Sequence, residues 1–162
     1  MDNLFNLLIF LHVMSFVFMS VPLFNLIVVN ERALLGIPFN YYADRYMENI
    51  IKHGAYRCYT FQLTVLISGL LLLILGPLGF EALWMNWRIL IKTILLFVLM
   101  GMLSYVHFKL QPKIESFLSD LNADSEIPEN LVSQLKPFRI LRKRMATFCL
   151  FLVIISIILG SI

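Results

Sequence analysis

The chain has 162 residues, of which 60% are hydrophobic and only 14% are charged, and its mean hydropathy is +0.84. Soluble domains carry about a quarter charged residues, and a chain this short has too much surface to hide such an apolar excess. Lipid is therefore the solvent for most side chains, and a soluble enzyme is excluded. The net charge of +3 comes from basic residues flanking the apolar runs, where they suit anionic headgroups rather than nucleic acid.

Four runs are long enough to cross a hydrocarbon core, which takes roughly 20 helical residues. They cover approximately residues 4–29, 59–78, 89–108 and 145–162. The first is too long for a cleaved signal peptide and lacks a basic leader, so it reads as a retained span. Backbone groups in lipid must be satisfied within each segment, which makes these helices. The expected fold is all-α: one integral membrane domain over residues 1–162, built as a bundle of four transmembrane helices. The second run ends at Gly76-Pro77-Leu78-Gly79.

The loops are also patterned. Residues 41–52 have helix-forming composition and lead toward the second span. Residues 113–121 extend the third helix. Pro128 is placed to open a further short helix, and Pro137 to end or kink it. Eleven of the 13 basic residues lie in or beside the first and third loops, against Arg88 and Lys92 at the other end. The bias places those loops and their short helices in the cytoplasm and both termini outside. A multi-pass protein of the bacterial inner membrane is the expected setting, with lipid as its main partner.

Ionisable groups inside a bilayer are functional candidates because they are costly there. The chain's three histidines, His12, His53 and His107, all lie in or near spans, and Lys92 joins them. Depth sorts them into His12 with Lys92 toward the outside and His53 with His107 toward the cytoplasm. His12 and His107 should differ in depth by well over about 15 Å at 1.5 Å rise per residue, so they cannot share one metal ion. Helical spacing draws polar stripes: Phe5, Leu8, His12, Ser15, Met19 and Pro22 on the first helix; His53, Arg57, Thr60, Thr64 and Ser68 on the second; Thr93, Phe97, Met100, Ser104 and His107 on the third. Each stripe is expected to face the bundle interior. Arg139, Arg142, Lys143 and Arg144 read as topology determinants.

Imidazoles inside a four-helix bundle are the usual axial ligands of b-type haem. His12 and His107 are thus the candidate iron ligands, with Lys92 and His53 as candidate second ligands. The two cysteines, Cys58 and Cys149, form no CxxC or CxxCH pattern. They read as buried thiols, which speaks against a zinc knuckle and against covalently attached haem.

Three stretches carry a likeness to a known group. Leu11-His12-Val13, Arg45-Tyr46-Met47-Glu48, and the series Trp87, Lys92, Tyr105, His107 together resemble the four-helix family of HemJ-type protoporphyrinogen oxidases and the related CopD-like and DUF2269-like membrane proteins. Met19-Ser20-Val21-Pro22 stands where that group has Trp-x-Gly. The resemblance implies a b-type haem, oxidation of protoporphyrinogen, and importance of His12 and Lys92. Its CopD-like branch implies copper handling, but no helix face here shows enough Met, Cys or His for a copper site.

Two functions follow as expectations. One is a haem-binding membrane redox protein, either an electron carrier or an oxidase, acting as a homo-oligomer or within a larger membrane redox complex. The alternative is a cofactor-free accessory or assembly subunit, packed through small residues such as the stripe Cys149, Val153, Ser156 and Gly160.

Overall fold

The computed structural model describes residues 2–31, 35, 40–119, 121, 128 and 130–161. The elements are α1 (Asp2–Glu31), α2 (Tyr41–Leu75), the short α3 (Ala82–Met85), α4 (Trp87–Tyr105), a π-helical turn (Val106–Leu110), α5 (Gln111–Ser119) and α6 (Leu131–Ser161). No strand occurs among the described residues. Four helices are long and apolar enough to cross a membrane.

Each boundary has a local cause. Asn40 caps α2 by accepting the Ala43 N–H at 3.0 Å, while Asp44 accepts the Asn40 N–H at 2.9 Å. That reciprocal pair satisfies two donors otherwise orphaned at the helix start. Gly76 closes α2, and Gly79 turns the chain at φ +71°, a conformation that costs glycine little. Asn86 then caps α4 through the Arg88 N–H at 3.1 Å.

α1 packs on α2 and α6, and α4 packs on the same two helices from the opposite side. Successive helices run antiparallel: Phe5 of α1 lies against Gly76 of α2, and Gly160 of α6 against Lys92 of α4. At the other end Asn30, Glu48, Gln111 and Arg142 meet. The core between the helices holds Met19, Leu23, Cys58, Leu99, Leu103, Cys149, Leu152 and Val153. Large apolar side chains such as Leu4, Phe10, Phe24, Ile67 and Phe151 are exposed around the outside, as lipid contact requires.

Two features differ from the sequence reading. α6 does not break at Pro137 but runs through it from Leu131. A proline inside a helix costs about 3 kcal/mol. Here the carbonyl it leaves free belongs to exposed Ser133, while Leu135, Arg139 and Arg142 anchor the buried face on both sides of it. Second, α4 continues into α5 through a π turn in which the Gln111 N–H bonds back to the Val106 carbonyl. Pro112 follows directly, and its ring would clash with the carbonyl four residues back, so the wider turn relieves that conflict. The extra residue shifts the helix register. Buried positions step through Leu96, Leu99, Leu103, Val106 and Leu110, then restart at Gln111, Ile114 and Leu118.

Candidate functional site

The buried face of α2 runs Asp44, Glu48, Ile51, Cys58, Gln62, Val65 and Ser68. This corrects the stripe expected there, because His53, Arg57 and Thr60 are exposed. The reason is local: Thr60 donates to the Tyr56 carbonyl at 3.1 Å and Thr64 to the Thr60 carbonyl at 2.8 Å. A hydroxyl satisfied by its own helix needs no partner across the bundle. The α1 stripe does face inward, with Leu8, Ser15 and Met19 buried and His12 partly so.

His12 Nδ1 lies 2.9 Å from Ser68 Oγ, and the Ser68 hydroxyl lies 2.5 Å from the Thr64 carbonyl. The hydroxyl has one proton, which it donates to that carbonyl. His12 must then donate through Nδ1, which leaves Nε2 as the lone-pair nitrogen. Close approach of the ring is possible because residue 69 is glycine: an added Cβ would sit 3.1 Å from His12 Cε1. Lys92 is placed differently, with Nζ 3.2 Å from where a Cβ on Gly160 would be. Among the described residues no hydrogen bond joins His12 to Lys92. The small residues Gly69 and Gly160 thus receive side chains of this same chain, and Cys149, Val153 and Ser156 are buried inside the bundle.

His107 rides on the π turn. Its ring meets Tyr56 at 5.2 Å, Tyr59 at 6.1 Å and Phe108 at 4.8 Å between centroids. Tyr59 donates to Ser104 Oγ at 3.0 Å, and Ser104 donates to the Met100 carbonyl at 2.8 Å. Nδ1 of His107 is buried without a hydrogen-bond partner among the described residues. His53 is exposed, with Nδ1 2.9 Å from the Asn49 carbonyl oxygen. Both His12 and His107 are tied to α2, through Ser68 and through Tyr56 and Tyr59. Those contacts are 9 to 12 residues apart, roughly 14–18 Å of helix rise.

His107 lines a cavity of about 290 Å³ between α1, α2 and the π turn. Its walls include Phe18, Pro22, Phe61 and Leu103, and Asn25, Arg57 and Gln111 supply polar groups. Phe18, Val21 and Ile50 at its edge are exposed, so it opens toward the side of the bundle.

Beneath the cavity lies a cluster that sequence reasoning missed. Arg142, 0% exposed, donates from Nη1 to Glu48 Oε2 at 2.7 Å and to Gln111 Oε1 at 2.6 Å. Its Nε and Nη2 both reach Asn30 Oδ1, at 2.9 and 2.8 Å. Arg139 donates to Asp44 Oδ1 at 2.7 Å and to Glu48 Oε1 at 3.1 Å. Two guanidinium groups thus balance two carboxylates, with Asn30 and Gln111 completing the shell. The four long helical segments are joined here at one level. The signal available in the sequence was Asp44 and Glu48 at i, i+4 facing Arg139 and Arg142 at i, i+3.

No protein-family profile, curated protein or solved structure matches the chain.

Proposed function

We propose that the chain is a multi-pass redox protein of the bacterial inner membrane that holds one b-type haem at His107. In this reading the basic end of the bundle is cytoplasmic and both described chain ends face outside. The observation that carries it is the cavity that joins the His107 imidazole, whose buried Nδ1 has no hydrogen-bond partner among the described residues, to Arg57, which forms no ion pair among them.

The donors suit a haem held by a single imidazole. His107 would hold the iron and Arg57 would pair with a propionate carboxylate. A bis-histidine site from His12 and His107 is ruled out by their separation, since two nitrogens on one metal sit within about 4 Å of each other at bond lengths near 2 Å. A bound haem would supply one-electron transfer, and the resemblance to HemJ-type oxidases makes protoporphyrinogen oxidation its enzymatic form. A second copy or a larger membrane redox complex would exchange the electrons.

Absorbance spectroscopy tests this. Protein produced with ample haem should show a Soret band, a reduced α-band and one haem per chain by pyridine haemochrome. His107→Ala should lose it and His12→Ala should keep it. A wild-type preparation without a Soret band removes the haem reading.

A further inference from the structure

The two ends of the His107 cavity differ in character. At about 290 Å³ it is far larger than the void of about 20 Å³ beside Gln62. Phe18, Phe61 and Leu103 form the end farther from the ion cluster, with the Phe18 and Phe61 rings stacked at 5.8 Å. Asn25, Arg57 and Gln111 lie nearer the cluster. Arg57 is the last charged residue before an uncharged run that reaches to Glu81, so it marks where the apolar stretch of α2 begins. Its guanidinium is exposed and forms no ion pair among the described residues. Asn25 is exposed too, and its side chain makes no hydrogen bond among them.

Gly54 accounts for part of the space. A Cβ added there would meet only Pro22 Cβ, at 3.9 Å, which is ordinary van der Waals contact. Packing of α1 on α2 therefore does not require glycine, and glycine inside a helix is destabilising relative to alanine. What the missing side chain leaves is room in the cavity wall.

We propose that this cavity takes one acyl chain of an anionic phospholipid whose phosphate pairs with Arg57. The opening at Phe18, Val21 and Ile50 faces sideways, where acyl chains are the surrounding solvent. The volume is near the low end of ligand pockets, which hold about 300–1,000 Å³. One chain can enter while the second stays in the bilayer. A guanidinium presents a planar fork that binds two phosphate oxygens at once, and basic pockets between membrane helices hold anionic headgroups. A zwitterionic lipid brings its own cation to the same place, which Arg57 repels. Phospholipid and haem would compete for Arg57 and for the same space, so the lipid occupies the haem-free protein and leaves as haem enters. The inference does not rest on haem being bound.

Native mass spectrometry of the haem-free, full-length protein in detergent tests this, with phosphatidylglycerol and phosphatidylcholine of identical chains as probes. One phosphatidylglycerol per chain should be retained about 10-fold more strongly than phosphatidylcholine, and Arg57→Gln should erase that preference. Gly54→Leu, which fills the space, should cut retention of both lipids. A photoactivatable acyl chain on phosphatidylglycerol should cross-link to the stretches holding Phe18 and Phe61. It should spare Phe97 and Phe151, which are exposed elsewhere on the bundle. Glycerol phosphate, a headgroup without a chain, should leave the unfolding temperature unchanged. If Gly54→Leu does not fold, Arg57→Gln, at an exposed position, and the cross-link decide the matter. Equal retention of the two lipids, a preference unchanged in Arg57→Gln, cross-links confined to Phe97 and Phe151, or stabilisation by glycerol phosphate alone overturns the proposal. Haem is read separately at the Soret band, so a protein that never takes haem can pass this test and one that takes haem can fail it.

Discussion

Arg142 and Glu48 form a two-pronged ion pair, Nη1 to Oε2 at 2.7 Å and Nη2 to Oε1 at 2.9 Å, with the guanidinium fully buried. A planar guanidinium fits a carboxylate in this geometry, which lysine cannot reproduce. Removing one partner strands the other in a low-dielectric interior, at a cost of about 3–5 kcal/mol. Arg142→Ala and Glu48→Gln should each lower the unfolding temperature sharply in detergent. The double variant should be less destabilised than the two single effects added. Additive losses, measured by thermal unfolding of all four proteins, would show that the two groups do not act as a pair.

Gln111 touches both the ion cluster and the cavity, since it accepts from Arg142 at 2.6 Å and lines the space below His107. Gln111→Leu keeps the volume but leaves a guanidinium N–H without its acceptor. The expected loss is about 1–3 kcal/mol, and Gln111→Glu should not substitute cleanly because it adds a third carboxylate to a balanced cluster. Denaturation of the two variants beside wild type checks the order wild type, then Leu, with Glu departing from wild type as well.

Much of the architecture was legible because bilayer thickness imposes length and the hydrophobic run reports it directly. The continuation of α2 back to Tyr41 and of α4 past the π turn follows from composition around residues 41–52 and 113–121. The π turn itself was not legible. Its cause, Pro112, reads in isolation as a helix stop, and only packing of Ile114 and Leu118 keeps the helix going. Arg139 and Arg142 were read as loop charges because burial of an arginine depends on carboxylates about 90 residues away in sequence. The Thr60 stripe misled for the opposite reason: a polar side chain that bonds its own backbone is free to face lipid.

At Gly69 the ring of His12 occupies the space a side chain would need. The contact of 3.1 Å to an added Cβ is tight enough that in Gly69→Ala the imidazole must give by a few tenths of an ångström. Gly69→Val should cost about 1–3 kcal/mol through overpacking and break the bond to Ser68. Nitrogen-15 NMR of the histidine ring reads this directly. Wild type should show a protonated Nδ1 and a bare Nε2, and Gly69→Val should lose that fixed assignment. An unchanged histidine spectrum in Gly69→Val would mean that His12 is not held where the structure places it.

Orientation can be measured with the native cysteines in place, because both are buried and should react slowly with reagents in water. Glu81, exposed beside α3, and Lys136, exposed near the start of α6, lie at opposite ends of the bundle. The end holding Lys136 also carries Lys143 paired to Glu31 at 2.9 Å and Lys52 near Glu115 at 3.5 Å. In the sequence, 11 of the 13 basic residues lie in or beside the first and third loops, and such residues resist translocation. In intact bacterial cells a membrane-impermeant maleimide should label Glu81→Cys. Lys136→Cys should react only after the membrane is opened. The reverse pattern would turn the bundle over, placing the ion cluster and the mouth of the larger cavity on the outer side.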